Sequence, residues 1–306
     1  MTDERLMLLD TPSLYFRAYY GVPDTITAPD GSPVNAIRGL LDFMTRLVRD
    51  FRPTRLVAAM DADWRPAWRV AALPSYKTHR IDDKGGDGTP DPLAVQVPVI
   101  EDVLAAIGVP TVGVDGYEAD DVIGTLATDA GCPIDVVTGD RDLFQLVDDA
   151  AAVRVIYTAR GVGSATAWDE AAVQEKYGIP GRSYADFATL RGDPSDGLPG
   201  VTGVGEKTAA ALVTRFGTVE ALLDAAGKDD DGFPSGARVK VLAAIDYLHA
   251  APAVVRVVRD VPLPAYDDRL RSTPRDGEAL VDLSTRWGLD GSLNRLLAAI
   301  AQVTEE

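Results

Sequence analysis

The sequence predicts an α/β fold: a doubly wound, mostly parallel sheet flanked by helices, followed by a mainly helical region. Three observations predict it. Short apolar runs at residues 5–9, 56–60, 111–114, 134–137 and 153–157 alternate with helix-length segments, the pattern of a parallel sheet. Residues 33–51 place Ile37, Leu40, Leu41, Met44, Leu47, Val48 and Phe51 at a 3.6-residue period. Four of the predicted strands lead into an acid, Asp10, Asp61, Glu118 and Asp140. In open parallel sheets ligands collect beyond the carboxyl ends of the strands.

In chain order, the strand at 5–9 ends at Asp10, and a loop is expected from there to residue 32. Ser32 reads as the N-cap of the first long helix, with Pro33 at its first position. One helix is expected over 92–107. From about residue 169 the pattern turns helical, with a Gly-rich loop at 227–236. The last seventy or so residues read as alternating helix and short strand. The expected division is 1–168 for the α/β core and 169–306 for the helical region.

The chain has 306 residues, 46% of them hydrophobic, enough for one large domain or two unequal ones. Its single cysteine, Cys132, excludes a disulfide framework and a thiolate zinc site, and reads as a buried filler. Apolar runs are far shorter than a membrane span and no charged-then-apolar leader opens the chain. The expectation is a soluble, cytoplasmic monomer with no membrane contact. A net charge of -17 argues against nucleic acid at face value. That sum misleads if many acids are metal ligands, because bound cations cancel part of it.

The densest acid group lies in Gly116-Tyr-Glu-Ala-Asp-Asp-Val-Ile-Gly-Thr-Leu-Ala127, where Glu118, Asp120 and Asp121 precede an apolar helical pattern. Alone, this is equally a charged first helical turn. Four further groups change the case: Asp10; Asp61; Asp140 with Asp142; Asp193 with Asp196. An extended segment would point Asp140 and Asp142 the same way. Asp193 and Asp196 would share one face of a helical turn. All-oxygen donors suit Mg²⁺ or Mn²⁺, and two such cations serve in-line attack on a phosphodiester. Turn chemistry explains any one Asp pair, but poorly explains all five groups.

Residues 64–91 are the most basic and aromatic stretch, with Arg65, Arg69, Lys77, Arg80 and Lys84 among Trp64, Trp68 and Tyr76. Tyr76 would stack on a base while Lys77 and Arg80 meet phosphates. A solvated loop with two core tryptophans is the competing reading. Gly200-Val-Thr-Gly-Val-Gly-Glu-Lys-Thr208 fails as a P-loop, because Glu206 separates the last glycine from Lys207. It reads instead as a helix–hairpin–helix turn whose backbone approaches a phosphate, with an ordinary Gly-rich turn as the alternative.

Together, Gly116–Ala127, Thr138-Gly-Asp-Arg-Asp142, Tyr76-Lys-Thr-His-Arg80 and the run from Arg191 to Thr208 resemble the bacterial 5′-nucleases, or flap endonucleases. These also form the N-terminal domain of bacterial DNA polymerase I. The resemblance covers residue 8 to about residue 223. It implies a PIN-like core, a helical arch at about 64–92 and a helix–three-turn–helix region. It implies that Asp10, Asp61, Glu118, Asp120, Asp121, Asp140, Asp142, Asp193 and Asp196 form a two-metal cluster. Catalytic roles would fall to Lys77, Arg80, Asp140 and Asp142. Arg17, Tyr76, Lys77 and Arg80 would meet the 5′ strand, and Gly203, Gly205, Lys207 and Thr208 the duplex. Carbonyls near Val201 and Val204, and less clearly Leu190, would hold K⁺. The implied partner is branched or 5′-ended DNA: a 5′ flap, or a nicked or gapped duplex.

Three features depart from the family pattern: Thr11-Pro12 after Asp10, Met60 before Asp61, and a Gly- and Asp-rich stretch at 82–91. The chain ends without a polymerase module, so it resembles a stand-alone member. A haloacid-dehalogenase-like phosphatase, suggested by Asp61-Ala-Asp63, would need its Asp nucleophile after the first strand and an acid two residues on, where Pro12 stands. A PIN-like ribonuclease would lack the hairpin. A non-catalytic junction-binding protein is the alternative outside the enzymes.

Overall fold

A computed structural model describes residues 4–81, 86, 88–128, 130–228 and 232–305. The sheet is built from β1 (Leu6–Asp10), β2 (Arg55–Ala59), β3 (Thr111–Val112), β4 (Ile134–Thr138), β5 (Val153–Tyr157) and β6 (Thr166–Trp168). Their order is β3-β2-β1-β4-β5-β6. All neighbours are parallel except β6, which runs antiparallel to β5. β1 is central: Asp10 lies opposite Ala59, and Leu9 opposite Val137. This register brings the residues after β1, β2 and β4 to one edge. The short strand β6 has no counterpart in the sequence reading.

One face of the sheet is covered by α1 (Thr11–Gly21), α2 (Asn35–Phe51), α4 (Asp91–Ala94), α5 (Val97–Ile107), α13 (Gly277–Trp287) and α14 (Asp290–Thr304). Met7, Leu9, Ile37, Leu40, Met44, Leu296 and Ile300 meet there in one buried cluster. The opposite face packs α6 (Ala119–Leu126) and the helical region: α7 (Glu170–Tyr177), α8 (Tyr184–Arg191), α9 (Glu206–Phe216), α10 (Val219–Gly227), α11 (Ala237–Ala243) and α12 (Ile245–Val255). Leu6, Leu8, Val136, Phe144, Phe187, Leu190 and Leu212 belong to that second cluster. The short α3 (Ala67–Ala72) lies in the basic segment.

Several local expectations are corrected. The loop expected after Asp10 is α1, which Asp10 caps by accepting the Ser13 N–H at 3.2 Å. Pro12 fits there because the first turn needs no donor from it. Ser32 does not cap α2; it sits in a turn and donates its N–H to Asp30. The helix begins at Asn35, and Gln96 Oε1 accepts the Ala36 N–H at 2.9 Å. Gln96 occupies the break between α4 and α5, where the single helix expected over 92–107 divides. Pro98 in the first turn of α5 offers no N–H to continue the preceding helix. Among the described residues after 237 the regular elements are helices, not alternating helix and strand. Asp268 and Leu270 instead bond Leu56 and Thr54 beside β2 as an isolated extension. Cys132 is half-buried rather than buried. The expected loop at 227–236 and the expected tip at 82–91 fall partly outside the described residues.

Candidate active site

A cavity of about 470 Å³ opens at the carboxyl edge of the sheet, lined by Asp10, Asp61, Glu118, Asp120, Asp140 and Asp193 among others. Each acid is fixed locally. Asp10 accepts the Thr138 hydroxyl at 2.6 Å in addition to capping α1. Asp61 Oδ1 accepts the Ala119 N–H at 2.7 Å, at the start of α6. Asp140 donates its N–H to Thr138 Oγ1 and accepts the Asp142 N–H at 2.9 Å. Asp193 accepts the Ser195 N–H at 2.9 Å and the Ser195 hydroxyl. Parallel pairing therefore delivers the acids and turn chemistry aims them.

The basic segment closes over this edge. Lys77 is paired with Glu118 Oε1, and Arg80 with Asp196 at 2.7 Å. Arg80 also donates to the Ser195 carbonyl at 2.6 Å. Arg141, which no local sequence pattern marks as functional, lines the cavity 3.7 Å from Asp193. Arg17 donates to the Ala159 carbonyl at 3.0 Å, and its Nη2 lies so close to Gly139 that any Cβ there would meet it at 2.9 Å.

Burial and mutual repulsion dominate the electrostatics. Burial pushes the Asp10 carboxyl up to about 7; the Thr138 hydroxyl opposes this and the Asp61 and Asp140 charges add to it. Asp61 is raised by burial, against the Ala119 N–H and Lys77. Asp120 and Asp142 are held well above the usual carboxylate range by burial, then by neighbouring acids. Asp196 is pushed up to about 6 by burial, with Lys77 pulling it down. Lys77 is raised despite burial, because Glu118 stabilises its charge.

Of the nine expected ligands, six line the cavity. Asp142 is buried behind Asp140 at the start of a 3₁₀ turn rather than along an extended segment, and its Oδ1 has no hydrogen-bond partner. Asp196 lies against Arg80 and the Lys77 backbone. Asp121 turns away into the interior. Among the described residues no three acid, His or Cys side chains already surround one point closely enough to hold a metal ion. Lys77, Tyr76 and Arg69 hold the Glu118 oxygens, and Arg80 holds Asp196. The donor set itself fits a hard divalent cation: oxygen ligands only, crowded acids that resist ionisation, and an unpaired buried oxygen on Asp142.

Tyr76 is corrected outright. The residue is 4% exposed and its hydroxyl donates to Glu118 at 2.6 Å, so its ring presents no face for a base to stack on. Trp68 is not a core residue either; it is partly exposed and donates to the Gly116 carbonyl at 3.0 Å. Lys84 lies outside the described residues.

Away from the cavity, Gly200 and Gly203 take the positive φ that the hairpin turn requires, 66° and 75°. Gly205 caps α9, leaving Lys207 exposed and Thr208 half-exposed in its first turn. The Leu190 carbonyl already accepts the Val201 N–H, and the Val201 carbonyl the Val204 N–H, each at 2.9 Å.

Two family models match the chain: 5′-3′ exonuclease, N-terminal resolvase-like domain, over residues 5–178, and 5′-3′ exonuclease, C-terminal SAM fold, over residues 179–278. A 5′-3′ exonuclease of Streptomyces coelicolor is 58% identical over 299 residues, covering 96% of this chain and 99% of that protein. The chain belongs to the 5′-3′ exonuclease family. It is therefore a nuclease, a hydrolase of phosphodiesters. A 5′-3′ exonuclease of Mycobacterium tuberculosis is 47% identical, covering 96% of this chain and 97% of that one. The DNA polymerase I of Mycobacterium bovis is 41% identical over 275 residues, 89% of this chain but 29% of the polymerase. A zinc-bound T5 5′-exonuclease shares the 5′-3′ exonuclease fold with a TM-score of 0.66, covering 98% of this chain and all of that one, at 17% identity.

Proposed function

We propose that this 5′-3′ exonuclease is a structure-specific DNA nuclease. It removes nucleotides from 5′ ends and cuts 5′ flaps in replication and repair, using Mg²⁺ or Mn²⁺. The observation that carries the proposal is the cavity in which acids from separate strand ends meet beneath Lys77 and Arg80. A structural neighbour, the bacteriophage T5 flap endonuclease, crystallised in complex with DNA and metal ions, which supports this reading.

Asp10, Asp61, Glu118, Asp120, Asp140 and Asp193 would hold the divalent ions, with Asp142 and Asp196 behind them. Cations held there would supply an activated water and charge neutralisation at the attacked phosphate. Lys77 and Arg80 would meet the phosphate oxygens, exchanging Glu118 and Asp196 for the substrate. Arg17 would steady the 5′ strand beside Gly139. Gly203, Gly205, Lys207 and Thr208 would hold duplex phosphates at the start of α9, where backbone N–H groups favour an anion. A K⁺ ion at this turn would use the Val204 carbonyl and the second lone pair of Val201. Residues 1–168 would carry the chemistry and the helices between 169 and 255 the duplex grip, in a cytoplasmic monomer; α13 and α14 correct the expected division at 169–306, because they pack on the core face that carries α2.

The test is cleavage of a labelled 5′ flap, with and without Mg²⁺, against a blunt duplex and a single strand. Asp140→Asn with Asp142→Asn should abolish cleavage and retain flap binding. Cleavage that needs no divalent ion, or that survives both substitutions, overturns the proposal.

A further inference from the structure

Arg69 stands in the basic segment, yet it is 3% exposed. Its Nη2 donates to Asp121 Oδ1 at 2.7 Å and its Nη1 to Asp121 Oδ2 at 2.9 Å. Nη1 also reaches Glu118 Oε2, and Nε donates to the Val254 carbonyl at 3.1 Å, near the end of α12. The Trp68 ring lies 4.6 Å from the guanidinium.

Asp121 is 0% exposed. Besides Arg69, its Oδ1 accepts the Val258 N–H at 2.9 Å and its Oδ2 accepts the Glu118 N–H at 3.3 Å. A carboxylate offers about four lone-pair sites, and here each is taken by a protein donor. Its neighbour Asp120 differs: it lines the cavity and sits among like charges. Adjacent acids of one helical turn point in different directions, and packing sends Asp120 to the cavity and Asp121 to Arg69 and Val258.

We infer that Asp121 stands outside the cation-binding set: it is the fixed partner of Arg69, and the Arg69–Asp121 pair positions Glu118 and ties the cavity floor to the helical region at Val254 and Val258. The inference rests on reading the cavity as a cation site. Arg69 is a positioning residue, acting through Glu118. The physical need is plain: a buried guanidinium must stay paired whatever Glu118 binds, and Asp121 keeps it so.

The test uses the full chain without DNA, measuring thermal unfolding in divalent-free buffer and Mn²⁺ binding by calorimetry. Asp121→Asn should lower Tm by several degrees, because it strips a buried cation of its bidentate partner, and weaken Mn²⁺ less than Asp120→Asn does. Asp120→Asn should raise Tm under the same conditions, by relieving repulsion, and weaken Mn²⁺ about tenfold or more. An Asp121→Asn protein that is stabilised and loses Mn²⁺ as Asp120→Asn does overturns the inference. If Asp120→Asn leaves Mn²⁺ binding intact, the cation reading fails instead, and the opposite signs in Tm still decide the role of Asp121. Should Asp121→Asn not fold, Arg69→Met with Asp121→Leu, which removes both charges, should be more stable than Arg69→Met alone; a less stable double variant overturns the pairing. Arg69→Lys keeps the charge but not the fork. It should lower single-turnover flap cleavage roughly 10- to 100-fold with flap affinity retained. Equal losses of binding and cleavage would make Arg69 a DNA contact and overturn its positioning role.

Discussion

Replacing Asp10 by Asn should stabilise this protein in divalent-free buffer, and the size of the gain follows from its surroundings. Asp10 is 5% exposed, and its carboxyl is raised from 3.8 to about 7, burial being the largest cause. Its folded pKa lies above its unfolded one, so the folded state holds the proton more tightly. Stability therefore falls as pH rises from about 4 through about 7. At about 1.36 kcal/mol per unit, the charged form costs about 4 kcal/mol at pH 8. An Asn carbonyl still accepts from Thr138 or Ser13, but a weaker bond removes about 1 kcal/mol of the gain. The net, about 3 kcal/mol, is a rise in Tm of about 5 °C for a chain of this length. At pH 5 the advantage shrinks by more than half, because the wild-type carboxyl is then protonated when folded. Excess Mg²⁺ should reverse the order, stabilising the wild type more than the variant. Scanning calorimetry at pH 8 and pH 5, with chelator or with Mg²⁺, measures all four quantities. A variant less stable than wild type at pH 8 with chelator would refute this reasoning.

Lys77→Ala and Arg80→Ala should each slow single-turnover flap cleavage about 100-fold, since each removes a cation held over the acid edge; a rapid-quench assay reads the rate. Gly197→Ala should destabilise by about 1–3 kcal/mol or more in chemical denaturation. Its φ is +72° and a Cβ would lie 2.3 Å from the Ser75 carbonyl, so the turn holding Asp196 must part from the Lys77 segment. Leu296→Ala, in the buried face of α14 against α2, should cost about 2–5 kcal/mol with an unchanged m-value and unchanged cleavage per folded molecule.

Much of the site was legible because strand ends and turn acids are written locally. Asp10, Asp61, Glu118 and Asp140 each follow an apolar run, and parallel pairing then brings them to one edge. Other features left no local trace. Residues 11–21 mix aromatic and polar types without a clean period, so nothing local distinguishes α1 from a loop. The cap of α2 comes from Gln96, sixty positions away, and no N-cap residue signals it. Tyr76 and Arg69 have the composition of a nucleic-acid surface, and both are spent inside the protein on Glu118.

The residue order by itself determined the alternation of strands and helices, the acids at the strand ends and the hairpin glycines, because periodicity and turn chemistry act over a few neighbouring residues. Only the tertiary structure decided which acids face the cavity, which cations cover them, and that α13 and α14 return to seal the face carrying α2. Those outcomes depend on burial and on partners far apart in the chain: Asp120 and Asp121 are adjacent and chemically identical, and packing against Arg69 and Val258 alone separates them.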